Sequence, residues 1–413
     1  MSESPLSFCM VTTFYPPHSF GGDGIYVHRL SNELARRGHR VTVVSAPDAH
    51  ELLAGTTGAA PVEHGNVRLE PIEPRFGRLS PLVTYLSGRP GLRARQLGEL
   101  FGRERFDVVH FHNVSLVGGP GVLAYGDGIK LYTTHEHWLV CPMHTLWRNN
   151  REPCVQPKCL RCTLAFRRPP QLWRYGSLLE RQTRHVDLFL SPSRFTMDMH
   201  RERGFTGPMR QHPSFTPPDA DGVGDDVRGG RPYFLVVGRL ERLKGVQTLI
   251  ELFQRYDAAD LVVVGTGTYG EELRRQAAGL DHVRFMGGLP FDALRSLYKG
   301  ALALLAPSLG YETFGMTTIE AFARRTPAIV RDLGGLPETV RESGAGFVYR
   351  EDAELVEAME SLRTNPTLRA ELGERGHRAY LERWAPEPHL RAYFDLIEEA
   401  GATRKHAVGR KEH

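Results

Sequence analysis

The chain has 413 residues, 41% of them hydrophobic, and a formal net charge of +4. That length fits two α/β domains, and the composition excludes a disordered chain. A charge this mild, with dispersed basic residues and no basic stripe interleaved with aromatics, argues against nucleic-acid binding. Only six of the 52 basic residues are lysines. No apolar run reaches the roughly 18 residues of a membrane-spanning helix. Met1 to Ser7 lacks the charged start and apolar stretch of a signal peptide, so the expected location is cytoplasmic. Five cysteines in that compartment argue against a disulfide framework.

In chain order, Phe8 to Thr13 predicts a short apolar strand running into a proline- and glycine-rich loop, Tyr15 to Gly24. A helix follows from Ile25 to Arg37, with Val27, Leu30, Leu34 and Ala35 on one stripe and Gly38 at its end. Val41 to Ser45, Phe106 to Phe111 and Lys130 to Thr134 predict further short strands. Residues 76 to 105 carry Arg78, Arg89, Arg93, Arg95, Arg103 and Arg105 beside Leu92, Leu97, Leu100 and Phe101. This reads as a solvated amphipathic helix, with peripheral contact to an anionic or membrane surface as the alternative. Strands separated by helical patterns predict a parallel, doubly wound sheet.

Between Pro213 and Pro232 the chain turns to prolines, glycines and aspartates, which is linker chemistry. A second alternating series then begins with the strand Tyr233 to Val237. Leu261 to Val264, Val283 to Met286, Ala303 to Ala306 and Ala328 to Val330 follow as strands, with helices such as Val246 to Tyr256 between them. The expected organisation is a Rossmann-like domain over residues 1–212, a linker over 213–231 and a second Rossmann-like domain over 232–388. A helix from His389 to Ala400 follows Pro386 and Pro388, with frayed residues beyond Gly401; residues 389–413 are expected to pack back on the first domain. Two such sheets form a cleft and bind ligands at their strand carboxyl ends. No short internal repeat is visible.

The most specific signal lies in the second half. The strand ending at Val237 runs into Gly238-Arg239-Leu240, and five residues beyond Arg239 Lys244-Gly245 opens a helix. Two cations at a strand-to-helix turn make an anion site, because the helix end adds unpaired N–H groups and arginine can fork onto two phosphate oxygens. Downstream, Gly310-Tyr-Glu312-Thr-Phe-Gly315-Met-Thr-Thr-Ile-Glu320 places two carboxylates eight residues apart. Glu312 sits in the loop and Glu320 about one turn into the next helix. The amides of Phe314, Gly315, Met316 and Thr317 are expected at that helix's N-terminus. Carboxylates so placed accept hydrogen bonds from sugar hydroxyls.

These elements, with Asp332-Leu-Gly-Gly-Leu-Pro-Glu338 after them, resemble the family-4 retaining glycosyltransferases of GT-B fold. The resemblance covers roughly residues 233 to 349 closely, since three spaced elements occur in order. In the first half, Gly21-Gly22 resembles the family's glycine loop at the donor phosphates. Asp107-Val-Val-His110-Phe-His112 and Thr133-Thr-His135 resemble its histidine-bearing strand ends.

The resemblance implies a nucleotide-diphosphate-sugar donor, commonly a uridine one, and a small-molecule, glycan or lipid-linked acceptor. It implies that Arg239 and Lys244 neutralise the leaving diphosphate, that Glu312 binds the donor sugar and that Glu320 binds the ribose. His135 would face the transferred sugar, and Gly22 would let the loop backbone approach phosphate or acceptor. His110 reads as a structural strand-end histidine, with His112 intermediate between the two roles. No cofactor is expected for catalysis: the chain's Asp-x-Asp pair, Asp219-Ala-Asp221, lies in the linker, so cations replace a metal. Retention, with attack from the face of the leaving group, is also implied.

Three rival readings have distinct signatures. A nucleotide-sugar epimerase or hydrolase would share the donor site but transfer nothing. A non-enzymatic nucleotide-sugar sensor would bind without turnover. A nicotinamide dehydrogenase has Gly265-Thr-Gly267-Thr-Tyr-Gly270 after a strand in its favour, but Gly287 and Gly288 stand where an acidic residue should hold the ribose.

Cys141, Cys154, Cys159 and Cys162 form the pattern C-x12-C-x4-C-x2-C. They read either as ligands of a structural zinc, with His144 as a spare, or as reduced thiols with a redox-labile pair at Cys159 and Cys162. An iron–sulfur cluster ranks below both.

Overall fold

The computed structural model describes residues 4–53, 62–74, 77, 79–218 and 230–409. Asp219-Ala-Asp221 and most of the expected linker lie outside the described residues, as do Phe76 and Arg78.

The first domain is built on strands β1 (Ser7–Val11), β2 (Arg40–Ser45), β3 (Val67–Pro71), β4 (Val108–Phe111) and β5 (Ile129–Thr133). A two-stranded hairpin, β6 (Trp147–Arg148) and β7 (Glu152–Pro153), stands apart, and β8 (Leu188–Ser191) and β9 (Met209–Gln211) complete the sheet. The order is β3-β2-β1-β4-β5-β8-β9, and its ladders are parallel. The second domain holds β10 (Tyr233–Val237), β11 (Asp260–Val264), β12 (Val283–Gly287), β13 (Leu304–Ala306), β14 (Ala328–Arg331) and β15 (Gly346–Tyr349). Its order is β12-β11-β10-β13-β14-β15, again parallel. The two sheets therefore share a winding order without sharing a visible sequence repeat. In each, the order reverses beside the first strand, and that reversal opens a crevice at the strand carboxyl ends.

Both faces of each sheet are covered, so central strands read as continuous apolar runs. Phe8, Cys9, Met10 and Val11 of β1 are all fully buried, as are Phe234 and Leu235 of β10. The helix Gly22–Arg36 lays Val27, Leu30 and Leu34 on the first sheet. It begins three residues earlier than its stripe predicts, so Gly21 and Gly22 form its N-terminus rather than a free loop. The strands β3, β8, β9 and β15 lack a clear sequence signal and enter as additions to the predicted set.

The last helix runs from Pro386 to Gly409, starting before Pro388 and continuing well past Gly401. Two prolines in a first turn cost little, because those N–H groups lack helical partners anyway. This helix crosses back to the first domain. Tyr393 stacks on Phe8 at 6.3 Å and its hydroxyl bonds His110 Nδ1 at 2.8 Å, while His389 Nδ1 bonds the Pro213 carbonyl at 2.9 Å. Among the described residues, no helix is long and apolar enough to cross a membrane.

Among the described residues of 76–105, the expected single helix is divided into α-helices Leu79–Ser87 and Ala94–Arg103, with a 3-10 turn Gly91–Arg93 between them. Arg93 is not a surface cation: it is fully buried and forks onto both carboxylate oxygens of Asp48 at 2.6 Å. Helix Ala94–Arg103 turns Leu97 and Leu100 into the core, as an amphipathic helix should. Helix Leu79–Ser87 instead buries Ser80, Pro81, Thr84 and Tyr85 and exposes Leu79, Leu82, Val83 and Leu86.

Candidate active site

The site lies where the two reversal points face each other. From the first domain come the helix N-terminus at Gly21-Gly22 and the histidines after β4 and β5. From the second come the turn after β10, with Arg239 and Lys244, and the loop after β13, with Glu312.

The glycines bring the domains close. A Cβ at Gly21 would stand 3.7 Å from Arg239 Cδ and Nε, and one at Gly22 would stand 3.8 Å from Met316 Cγ. Met316 opens the helix Met316–Ala323, with Gly315 as its N-cap. Two helix N-termini and an exposed arginine thus converge, and their partial charges add to a positive field suited to a diphosphate.

Lys244 and Glu312, expected on different parts of the donor, meet directly. Lys244 Nζ lies 2.6 Å from Glu312 Oε1, and Ser308 Oγ donates to the same oxygen at 2.7 Å. Burial works against the Glu312 charge, but Lys244, Ser308 and Arg239 outweigh it and hold the carboxyl below its usual range. The carboxylate is therefore ionised at neutral pH and can only accept hydrogen bonds. Its backbone rests on the turn Asp332–Gly335 that precedes the helix Leu336–Ser343, where Gly335 N donates to the Glu312 carbonyl at 2.7 Å. Gly334 has φ 71°, and a Cβ there would stand 2.7 Å from Glu312 N, so only glycine fits.

Glu320 is 8% exposed and already partnered across the cleft. Arg29 Nη2 donates to Oε1 at 2.8 Å and the Tyr298 hydroxyl to Oε2 at 3.2 Å. Arg29 is a site residue that motif reasoning misses; it lies seven residues after Gly22, on the same helix face. Its Nη1 is buried without a hydrogen-bond partner, and the guanidinium lies over the Phe291 ring at 4.8 Å.

His135 follows β5 and bonds His112 Nδ1 through Nε2 at 3.0 Å. Burial depresses its pKa to about 4 against an opposing pull from Asp23, so the ring is neutral and serves as a hydrogen-bonding group. His112 is likewise held neutral by burial, and its Nε2 has no partner. His110 bonds Tyr393 and Thr133, both at 2.8 Å, which is a structural role.

Other contacts lock the domains together. Thr313 Oγ1 donates to the His135 carbonyl at 2.8 Å, and Ser193 Oγ donates to the Thr313 carbonyl at 2.7 Å. The Glu338 carboxylate accepts from Phe195 N at 2.6 Å and Arg194 N at 2.9 Å, capping the helix Arg194–Glu202 from the opposite domain.

The rival dinucleotide fingerprint at 265–270 has a packing explanation. A Cβ at Gly265 would stand 1.8 Å from the Gly238 carbonyl oxygen, so this glycine lets the two loops touch. Cys141, Cys154, Cys159 and Cys162 of the first domain line one small cavity. Among the described residues, however, no three His, Cys, Asp or Glu side chains stand together as metal ligands.

Comparison with known proteins agrees with the geometry. The family described as Glycosyltransferase Family 4 matches residues 20–219, and Glycosyl transferases group 1 matches 225–379. A glycogen synthase of Mycobacterium tuberculosis is 30% identical over 397 residues, covering 87% of each chain. An uncharacterized glycosyltransferase of Methanocaldococcus jannaschii is 26% identical over 83% of this chain and 85% of its own. Sucrose-phosphate synthase from Thermosynechococcus elongatus superposes with a TM-score of 0.72 at 19% identity, over 96% of this chain and all of that one. Anabaena Alr3699/HepE in complex with UDP-glucose gives 0.65 at 15%, covering 95% and 100%. Two parallel doubly wound sheets, a strand-to-helix turn bearing two cations and these matches lead to one assignment: the chain belongs to the family-4 glycosyltransferases of GT-B fold and is a glycosyltransferase.

Proposed function

We propose that this glycosyltransferase moves a hexose from a UDP-sugar to its acceptor with retention of anomeric configuration, in the cytoplasm and without a catalytic metal or other cofactor. The observation that carries the reading is the convergence of Arg239 and two helix N-termini at Gly21-Gly22, with Lys244 bonded to Glu312 in the same domain as Arg239. Cleavage of the anomeric bond sends its electron pair to a phosphate oxygen. Fixed cations and helix dipoles aimed at that oxygen stabilise the developing charge without reorganising.

Glu312 holds the sugar through its hydroxyls, and Glu320 takes the ribose with Arg29 beside it. His135, being neutral, orients the sugar and carries no net charge to the reacting carbon. No side chain is assigned as a covalent nucleophile. The acceptor hydroxyl attacks from the face the diphosphate leaves, and its proton passes to the departing phosphate oxygen. The UDP-glucose complex of the Anabaena neighbour supports a uridine donor. The acceptor is a small molecule, glycan or lipid-linked chain; the exposed Leu79, Leu82, Val83 and Leu86 support one presented at a membrane surface.

Thermal-shift screening of UDP-, GDP- and ADP-sugars identifies the donor, since ligands of the folded state raise its apparent stability. Slow donor hydrolysis, followed by NMR in EDTA, then reads the stereochemistry. An α-configured donor should release the α-sugar first. An obligatory divalent metal, or first release of the β-sugar, overturns the mechanism; epimerised donor, or hydrolysis unchanged by any acceptor, favours the epimerase or hydrolase reading.

A further inference from the structure

The segment between His135 and Arg174 is built unlike the rest of the chain. Of six non-glycine residues with positive φ among the described residues, five lie here: His144, Leu146, Asn149, Asn150 and Arg167. Asn149 and Asn150 turn the short hairpin of β6 and β7. Cys154 follows the hairpin directly, and Cys159 and Cys162 sit in the first turn of the helix Cys159–Ala165. The apolar cluster beneath is small, with Cys141, Met143, Leu146, Cys154 and Cys162 as its buried members. A loop with this much left-handed backbone and so thin a core needs another source of order.

The four thiols supply a candidate. Cys141, Cys154, Cys159 and Cys162 line one cavity of about 20 Å³, together with Pro142, Met143, Trp147 and Lys158. That is space for about one small ion or water. Asn149 N donates to Cys162 Sγ at 3.3 Å, the kind of backbone bond that stabilises a thiolate. Arg174 and Arg203 line the adjoining cavity together with Cys159. Arg203 Nη2 also donates to the Cys154 carbonyl.

We propose that Cys141, Cys154, Cys159 and Cys162 bind one structural zinc ion. Binding exchanges four S–H protons for four Zn–S bonds of about 2.3 Å and leaves a net charge of −2, which the surrounding arginines and Lys158 offset. As placed, the thiols do not yet form that set: Cys154 Sγ points to the Gln156 carbonyl at 3.8 Å and Cys162 Sγ to that of Trp147 at 4.0 Å. Each sulfur turns on one bond with three staggered positions, and the site requires these two to swing into the cavity. His144 does not line that cavity, and its Nδ1 bonds Glu136 at 2.7 Å, so the set is the four thiols. Four thiolates leave no position for water, so the ion orders the loop that follows His135 and takes no part in transfer.

Elemental analysis of protein expressed in zinc-supplemented medium is the direct test. The expected result is about one zinc per chain, released by a mercurial in step with four thiols, with all five thiols free after unfolding in chelator. Cobalt substitution should give the charge-transfer bands of a tetrahedral thiolate site. The pair Cys159→Ser/Cys162→Ser should hold less than about a tenth of an equivalent, while Cys9→Ser keeps the metal. Should the paired variant fail to fold, the measurement on the unaltered chain decides alone. Less than about a tenth of an equivalent of zinc in that chain, iron in its place, or a Cys159–Cys162 disulfide mapped by mass spectrometry overturns the proposal.

Discussion

Replacing Lys244 by methionine removes a charge while keeping most of the stem, and the structure sets two separate expectations. The ammonium touches Glu312 at 2.6 Å, with the two side chains 25% and 17% exposed. Its loss leaves a mostly buried carboxylate with Ser308 as its remaining direct donor and Arg239 farther off. An unpaired buried charge costs about 1–3 kcal/mol, lowering the melting temperature by about 2–4 °C for each kcal/mol. Turnover should fall about 100- to 1,000-fold, the scale of one preorganised stabiliser. Affinity for the free nucleoside diphosphate should fall as well. Glu312→Gln gives the opposite binding result: it frees Lys244 from its internal partner, so the free nucleotide should bind at least as tightly while turnover drops. The double variant should recover much of the stability lost in Lys244→Met. Calorimetric melting, isothermal titration with the nucleotide and steady-state transfer read the three quantities. Unchanged nucleotide affinity in Lys244→Met, with turnover within about threefold of normal, refutes the diphosphate role.

Glu320→Ala should weaken donor and free nucleotide binding more than turnover, and Glu312→Ala the reverse; equal loss of nucleotide affinity in both contradicts the division. Arg29→Ala breaks the same cross-domain pair without removing the acid, so it separates loss of the bridge from loss of the ribose contact. Stability should also depend on mild acid. Burial holds His135 and His200 near 4 and His137 and His212 near 3, all below the ordinary value of 6.5. The unfolded chain therefore binds more protons between those values, and stability should fall as pH drops from about 6.5 towards 4. A flat melting temperature across pH 6.5 to 5 would contradict neutral burial of these rings.

The parts legible in the sequence are those with strong local chemistry. Strand Tyr233–Val237 was readable to the residue, because an all-apolar run ends at glycine and charge. The Arg239–Lys244 turn and the Glu312–Glu320 spacing were readable because few folds place cations and acids so. Strands β8 and β9 were not, since four- and three-residue segments lack a period of their own and depend on the sheet edge that receives them. The Lys244–Glu312 and Arg29–Glu320 pairs were also hidden. The first joins residues 68 positions apart through the winding of the second sheet, and the second joins residues 291 apart through the meeting of the two domains. The arginines near residue 93 show the converse: Arg93 looks like surface charge until Asp48 is found beneath it.

The turn Asp332–Gly335 and the first turn of the helix Leu336–Ser343 touch both halves of the enzyme. At one end the glycines support the backbone of Glu312; at the other, Glu338 caps a helix of the first domain. Swinging the domains apart must expose that helix end and its partial positive charge to solvent. The same movement withdraws one anchor of the loop on which Glu312 rests. If Glu312 takes the donor sugar as proposed, the placement of that acid is tied to the approach of the two domains, like a latch that sets the trigger only once the door is closed.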